Sequence, residues 1–179
     1  MNKALIVYAS KTGTTKDVAA MLAKKLTVPA ELYDCRSKTL LNCSGKQVAE
    51  RTVPKIDEYG LVILGTPMYM GKPIKEFKKF LTKNVQKLTQ ASVAIFTCGV
   101  GTQEEDGVYL RKSLPESLKG KQMLYRHMGG EVRIEKMGGF ARLAMKEYEK
   151  QHGTAAGIDW HAVDGLAGDI AARFGGKVS

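Results

Sequence analysis

The residues best suited to do chemistry form a short loop near the start of the sequence, Ser10-Lys11-Thr12-Gly13-Thr14-Thr15. Four of these six residues carry a hydroxyl group. The loop stands between an apolar run, residues 4–9, and a stretch with helical spacing, residues 17–26. Hydroxyls and the free N–H groups of a helix start can donate hydrogen bonds to phosphate oxygens. The loop therefore predicts a phosphate site, best suited to a dianionic phosphomonoester.

A helix cap is the simpler interpretation of the same loop. Serine and threonine often cap helices without any ligand, because their oxygens accept hydrogen bonds from the first free amides. One cap needs a single hydroxyl, whereas this loop offers four. Gly13 also lets the backbone approach a ligand closely and adopt unusual dihedral angles. Phosphate binding is therefore the favoured interpretation.

Other phosphate-binding and nucleotide-binding loops lack their required residues here. The chain contains neither the G-x-x-x-x-G-K-[ST] loop of nucleoside triphosphatases nor the G-x-G-x-x-G loop of dinucleotide-binding domains. A receiver domain needs acidic residues where this chain has Ala9-Ser10 and Thr66-Pro67. A phosphatase cysteine loop needs a closing arginine, and the seven residues after Cys98 include none. These classes are excluded.

Strand-like and helix-like segments alternate along the chain, which predicts a parallel sheet joined by right-handed crossovers. The expected strands are residues 4–9, 30–33, 61–65, 92–97 and 122–128, and the expected helices are residues 17–26, 74–81, 108–113 and 162–174. Residues 35–55 show no clear pattern, and residues 131–158 hold only a helix-like piece, 140–148. At 179 residues the chain suits a single domain, 1–179.

The pattern Ser10-x-Thr12-Gly13-x-Thr15 after a buried strand resembles the [ST]-x-T-G-x-T phosphate loop of flavodoxins. The resemblance implies an α/β flavodoxin-like three-layer sandwich. Its five-stranded parallel sheet would have the order 2-1-3-4-5, with helices on both faces. It also implies FMN as the cofactor, with the FMN phosphate in this loop.

Two later loops stand where flavodoxins hold the isoalloxazine ring. The first contains Pro67, Met68, Tyr69, Met70 and Gly71, and the second contains Cys98, Gly99, Val100 and Gly101. Ligands of open parallel sheets bind at the carboxyl ends of strands, where all three loops are expected to meet. Tyr69 is the expected stacking residue, with Met68 or Met70 as alternatives and an ordinary surface tyrosine as the simpler interpretation. Cys98 is expected to be a packed thiol.

The charge of the chain limits its partners. A formal net charge of +10 should attract anions, whether nucleic acid, anionic lipid or an acidic small molecule. No nucleic acid partner is expected, because no basic and aromatic surface motif appears. Carrier flavodoxins are typically acidic, so the charge departs from theirs. Much of it lies on or beside the third expected crossover, in Lys72, Lys75, Lys78, Lys79, Lys83 and Lys87, which a solvated helix face would also explain.

Cysteine usage and the N-terminus predict a cytoplasmic protein. The three cysteines, Cys35, Cys43 and Cys98, contain no C-x-x-C pair, and their odd number argues against a disulfide framework. No metal site is expected. The N-terminus has no secretory signal pattern, and the apolar runs are too short to span a bilayer. Peripheral contact with a membrane stays open.

The second half of the chain resembles the flavodoxin-fold protoporphyrinogen oxidases that use menaquinone, in which a basic segment follows the fifth strand. Met128-Gly129-Gly130 and the helix-like piece 140–148 stand there, in a segment shorter than in those oxidases. Porphyrinogen carboxylates would meet basic side chains near the flavin edge, here Arg126, Arg133, Lys136 and Arg142. The helix-like piece would also suit an anionic membrane surface, or would simply cover the core.

The leading hypothesis is an FMN-dependent oxidoreductase acting on an organic substrate such as a porphyrinogen or a quinone, with a protein as another redox partner. A non-enzymatic FMN electron carrier is the first alternative. A basic binding module without a cofactor is the second. No catalytic residue is nominated, because His127, His152 and His161 show no recognisable partner spacing.

Overall fold

The computed structural model describes residues 3–42, 44–50, 52–131 and 157–175. Between the last two ranges it also describes positions 133, 135, 138, 139, 142, 143, 146, 147 and 150. None of the helices in this described part is long and apolar enough to cross a membrane.

Five parallel strands form the middle of the sheet. They are β1 Ala4–Tyr8, β2 Ala30–Asp34, β5 Leu61–Tyr69, β7 Ser92–Cys98 and β8 Leu124–His127. They lie side by side in the order β2-β1-β5-β7-β8. When only these parallel strands are numbered along the chain, their order is 2-1-3-4-5, as predicted. The predicted α/β flavodoxin-like fold is confirmed. The winding reverses beside β1, which opens a crevice at the carboxyl ends of the strands.

The sheet also contains antiparallel strands, so the predicted total of five strands was too small. β3 Thr39–Leu41 pairs with β2, and β4 Gln47–Glu50 pairs with β3. They extend the β2 edge from a stretch in which the sequence shows no pattern. In β3 only the middle residue, Leu40, is buried, so three residues give too little alternation to mark a strand.

Two short strand pairings lie near the carboxyl ends of the parallel strands. β6 Lys72–Pro73 folds back onto the end of β5. β9 Gly129–Gly130 pairs with β10 Gly157–Ile158. The second pairing joins the end of β8 to the start of the last helix.

Helices cover both faces of the sheet. They are α1 Thr14–Lys25, α2 Lys75–Gln90, α3 Gln103–Ser113, α4 Glu116–Lys119 and α5 Trp160–Phe174. One core contains apolar side chains of α1 and α5, and the other contains those of α2, α3 and α4. Strand β1 contributes alternate residues to the two cores, for example Ile6 to the first and Leu5 to the second. This alternation produces the three layers.

Several helices begin or end away from their predicted bounds. α2 continues to Gln90, because Leu88 is fully buried although the residues around it are mostly polar. α3 begins at Gln103, where Thr102 and Glu105 form a capping box. In the expected helix 140–148, positions 142, 143, 146 and 147 are helical, and the remaining positions lie outside the described residues.

A Gly65→Ala substitution tests how tightly the sheet packs at its centre. A Cβ on Gly65 would lie 2.2 Å from the buried Phe96 ring. We expect the variant to lose about 2–3 kcal/mol of unfolding free energy, at the upper end of the usual cost of overpacking. Urea denaturation measures the loss. Gly168→Ala is the control, because its Cβ would meet no atom within 4 Å, and it should gain about 0.5–1 kcal/mol as alanine favours helix. Equal stability of the two variants would contradict the packing described.

Candidate functional site

The three predicted loops meet at the carboxyl ends of β1, β5 and β7. The Nζ atom of Lys11, in the first loop, lies 5.0 Å from the ring centre of Tyr69 at the end of β5. A Cβ on Gly99, after β7, would lie 3.2 Å from the backbone oxygen of Met68. The loops nominated from the sequence therefore lie side by side at the crevice that the strand order opens.

The first loop turns sharply into α1 at Gly13. Gly13 has a φ of 105°, in the left-handed region that favours glycine. Its N–H donates to the Ser10 Oγ over 3.0 Å, which leaves the hydroxyl proton of Ser10 free to donate. The N–H groups of Thr14, Thr15 and Lys16 start the helix and have no acceptor within it. The loop thus presents donors and the positive end of the helix dipole, as anion sites do.

Thr14 and Thr15 differ in what their hydroxyls do. The Thr14 hydroxyl donates to the backbone oxygen of Glu131 over 3.1 Å, so it ties the segment after β9 to the loop. The Thr15 Oγ1 is buried and meets the geometry of a hydrogen bond with no atom of the described residues, although the Cys98 thiol lies close enough to interact with it. Burial raises the pKa of that thiol to about 12, and the Thr15 hydroxyl opposes the rise. A thiol is a weak hydrogen-bond acceptor, so a bound phosphate oxygen would be a much stronger partner for this hydroxyl.

Two side chains from neighbouring strands lie over the loop. An Nη atom of Arg36, which follows β2, donates to the backbone oxygen of Ser10 over 2.7 Å. Burial raises the pKa of the Tyr69 phenol, while a hydrogen bond from Thr12 and the charge of Arg36 oppose that rise. Arg36 was not among the predicted residues, because only the pairing of β2 with β1 brings it here.

The expected loop after residue 65 is instead the end of β5 and a tight hairpin. Met68 and Tyr69 pair with Pro73 and Lys72 of β6, which leaves Met70 and Gly71 as a two-residue turn. Both have positive φ, 49° and 70°, as the turns typical of such hairpins require. Met68 is buried, whereas the side chain of Met70 is 100% exposed. Which of the three side chains touches a ring remains a prediction.

The second loop expected to hold the isoalloxazine ring begins at Cys98, the buried last residue of β7. The N–H of Gly99 donates to the backbone oxygen of Gly129 over 3.0 Å. Gly101 has no room for a side chain, since a Cβ there would lie 2.8 Å from Asp106 Oδ1. Val100 is 41% exposed and stands at the surface of the site.

A buried polar cluster under this loop was missed in the sequence. His127 Nδ1 lies 3.1 Å from Asp106 Oδ2 and 3.2 Å from Thr97 Oγ1. Thr97 Oγ1 is also 3.0 Å from the Tyr125 hydroxyl. Burial raises the pKa of that phenol to about 12. No sequence signal links these residues. Asp106 is on α3, and Thr97 meets Tyr125 and His127 only because β7 pairs with β8.

The basic residues expected near the flavin edge have other partners. Arg126 pairs with Asp169 of α5, and Arg133 pairs with Asp17 of α1 and with Glu131. Arg142 donates to the backbone oxygen of Glu135, and Lys136 lies outside the described residues. Arg126 and Arg133 are thus already paired with carboxylates, which a substrate would have to replace.

Metal ligands do not gather in the described residues, where no group of three or more His, Cys, Asp or Glu is placed to hold an ion. Cys35 and Cys98 are free thiols. Cys43 lies outside the described residues. Burial raises the pKa of the Cys35 thiol far above its ordinary value, so this group stays protonated at neutral pH.

Comparison with known proteins gives one family match and several structural likenesses. The profile of the family described as "Flavodoxin domain" matches residues 5–156. A flavoprotein in complex with FMN from Lactobacillus acidophilus is 16% identical, with 71% of this chain and 91% of that chain covered and a TM-score of 0.49. A WrbA-like flavodoxin from Agrobacterium tumefaciens is 20% identical, with 94% and 99% covered and a TM-score of 0.46. No curated protein matches the chain.

A Met70→Gly substitution tests the hairpin turn. Met70 holds a left-handed backbone and its side chain has no packing to lose. We expect the ligand-free variant to gain about 1 kcal/mol of unfolding free energy, since glycine avoids the cost of that conformation. Urea denaturation measures the gain, and Met70→Ala is the control that keeps the backbone cost. A Met70→Gly variant no more stable than Met70→Ala would contradict the turn.

Proposed function

Because the chain belongs to the flavodoxin domain family, we propose that it binds FMN at the crevice above β1 and uses it in redox reactions. The phosphate of FMN would lie at the N-terminus of α1, and its ring would lie between the β5 hairpin and the loop after β7. When bound, FMN supplies electron or hydride transfer at its ring.

The observation that carries this proposal is the state of Thr15. Its hydroxyl is buried in the first turn of a helix, beside amides that have no acceptor within that helix. Water cannot readily satisfy a group that is 1% exposed, whereas a phosphate oxygen is a strong acceptor. Ser10 Oγ would add a donor on the solvent side, and Thr12 Oγ1 would add a second by turning from the Tyr69 hydroxyl to the phosphate. The residues present therefore fit a phosphomonoester.

Charges around the loop support the same ligand. Lys11 and Arg36 both stand over the loop, and the helix dipole adds partial positive charge. Asp17 is the acidic residue of the first helical turn, and Arg133 pairs with it. A dianion would thus meet cations while the nearest carboxylate is neutralised.

A Thr12→Val, Thr15→Val double substitution should abolish tight FMN binding. It removes two phosphate donors and keeps the side-chain shape, so affinity should fall by at least about a hundredfold, the loss of two charge-assisted hydrogen bonds. Flavin absorbance and fluorescence quenching measure the affinity of the purified protein for added FMN. Thr82→Val is the matched control, because Thr82 lies on the exposed face of α2.

Two results would overturn the proposal. In one, the wild-type protein fails to bind FMN. In the other, the folded double variant binds FMN as tightly as Thr82→Val does. Riboflavin, which lacks the phosphate, should bind the wild-type protein and the double variant with similar affinity.

We extend the proposal to catalysis and partners. The chain has a net charge of +10, which would repel the basic proteins onto which an acidic carrier docks. An oxidoreductase acting on an organic substrate such as a quinone or porphyrinogen fits this charge better. Six exposed lysines lie on or just before α2, and among the described residues only Lys87 has an ion-pair partner, Asp57. This lysine face would meet an acidic redox partner or an anionic membrane surface.

Reoxidation of the reduced FMN-loaded protein by menadione distinguishes the enzyme from the carrier. An enzyme with a quinone site should show stopped-flow rates that saturate as menadione increases, because a bound complex forms before electron transfer. A carrier should show rates that rise linearly and do not exceed those of free reduced FMN. Linear behaviour both in this reoxidation by menadione and in the reduction of the oxidised FMN-loaded protein by a porphyrinogen would reject the oxidoreductase.

A further inference from the structure

The lysine face on α2 carries one sign of charge. All of its residues are exposed, and they are Lys72, Lys75, Lys78, Lys79, Lys83 and Lys87. The other exposed positions of the helix hold threonine or glutamine. Glu76 is the only acidic residue of α2, and its Oε2 atom is buried. Within the described part of the chain, Asp57 pairs with Lys87 and no carboxylate pairs with the other five lysines.

This arrangement lowers the stability of the helix itself. Lysines that are four residues apart form the like-charge pairs Lys75–Lys79, Lys79–Lys83 and Lys83–Lys87, and such pairs destabilise a helix. Lys75 and Lys78 also stand in the first turn, at the positive end of the helix dipole, where a cation is unfavourable. The exposed residues of α3 and α5, in contrast, include both acidic and basic side chains. A face that met only water would gain from the same mixture, so the single sign indicates an anionic partner.

The type of side chain on the face selects among anionic partners. Protein interfaces are enriched in aromatic residues and arginine and depleted of lysine. Proteins that bind nucleic acid bases use arginine and aromatic contacts as well. The exposed positions of α2 hold neither type. Lysine is a hydrated point charge on a flexible stem and needs no fixed partner geometry, so this face suits a surface of many mobile charges, such as anionic lipid headgroups.

An apolar side chain lies at the end of the face where α2 begins. Met70 is 100% exposed in the turn between β5 and β6, and Lys72 of β6 follows two residues later. The half-exposed Tyr109 supports the turn, because its ring lies 2.9 Å from where a Cβ on Gly71 would be. The interface of a bilayer takes up apolar side chains that stand next to basic ones. A dissolved polyanion would leave Met70 in water, so the pair of Met70 and Lys72 favours a lipid surface.

We propose that the lysine face binds the surface of an anionic lipid bilayer, with the side chain of Met70 in its interface. Helix α2 would lie along the bilayer, over about 18 Å from Lys75 to Lys87. Because β6 folds back onto the end of β5 and leads into α2, the face begins at the carboxyl ends of the parallel strands. The crevice would thus be held near the lipid. Access of a lipid-dissolved quinone to FMN there rests on the proposed function, whereas lipid binding itself does not.

Sedimentation of the whole protein with lipid vesicles measures the binding. The probe is a phosphatidylcholine vesicle in which a quarter of the lipid is phosphatidylglycerol, and vesicles of phosphatidylcholine alone are the neutral reference. We expect the protein to bind the anionic vesicles and to stay in solution with the neutral ones. Binding should weaken as salt is added, because salt screens exposed charges.

A triple substitution of Lys75, Lys79 and Lys83 by Gln should lower the partition coefficient about a hundredfold, because each lysine near an anionic leaflet is worth roughly a fivefold factor. The variant loses like-charge pairs, so it should be at least as stable as the wild-type protein. The matched control replaces Lys24, Lys38 and Lys46 by Gln, which removes the same charge from exposed positions outside the face. This control should keep most of the binding.

A Met70→Ser substitution separates a bilayer from a dissolved polyanion. We expect about fivefold weaker binding to the anionic vesicles, because the apolar side chain is no longer buried in the interface. Binding to dissolved polyglutamate should be unchanged, since the lysines are intact.

Several results would overturn the inference. The wild-type protein could bind neutral and anionic vesicles alike, or the triple variant could bind as tightly as its control. Tighter binding to polyglutamate than to the vesicles, at equal concentrations of negative charge, would assign the face to an acidic protein. Unchanged vesicle binding by Met70→Ser would reject the place given to Met70. Vesicle binding is measured without FMN and FMN binding without vesicles, so either proposal can fail while the other stands.

Discussion

Strand β1 is buried on both faces, and the position of its last residue fixes the geometry of the whole site. Residues 4–7 are completely inaccessible, and β1 is paired with β2 on one side and β5 on the other. A strand paired on both sides ends at a fixed position in the sheet. The turn at Gly13 and the start of α1 therefore have little conformational freedom. The predicted phosphate donors are therefore placed by the packing of the sheet as much as by the loop itself.

The same pairing explains which parts of the site could be predicted. Ser10 to Thr15 stand next to one another in the sequence, and their chemistry depends on a helix start that follows directly. Strands β1, β5 and β7 were found because each contains a nearly continuous apolar run, and the order of the strands followed from a family resemblance. Strand β3 was missed because three residues at an edge bury only Leu40.

Arg36 and the pair of His127 with Asp106 could not be predicted, for one physical reason. Each contact joins residues from different elements, and the contact exists only once the strands are aligned. Arg36 reaches Ser10 because β2 lies beside β1. His127 meets Thr97 because the register of β8 on β7 places these two residues opposite each other. A single sequence carries no record of such alignments, whereas local patterns such as the capping box at Thr102 are readable in it.

The loop Gly99 to Gly101 is held by contacts from three neighbouring elements. On one side, Gly99 lies against Met68 of the β5 hairpin, and on the other its N–H donates to the backbone oxygen of Gly129. Beneath it, Asp106 fills the space that a side chain on Gly101 would need. The Asp106 carboxylate therefore supports the loop while one of its oxygens lies 3.1 Å from His127 Nδ1. Because packed contacts transmit small displacements, a shift of Asp106 on α3 would also move the loop expected to hold a flavin ring.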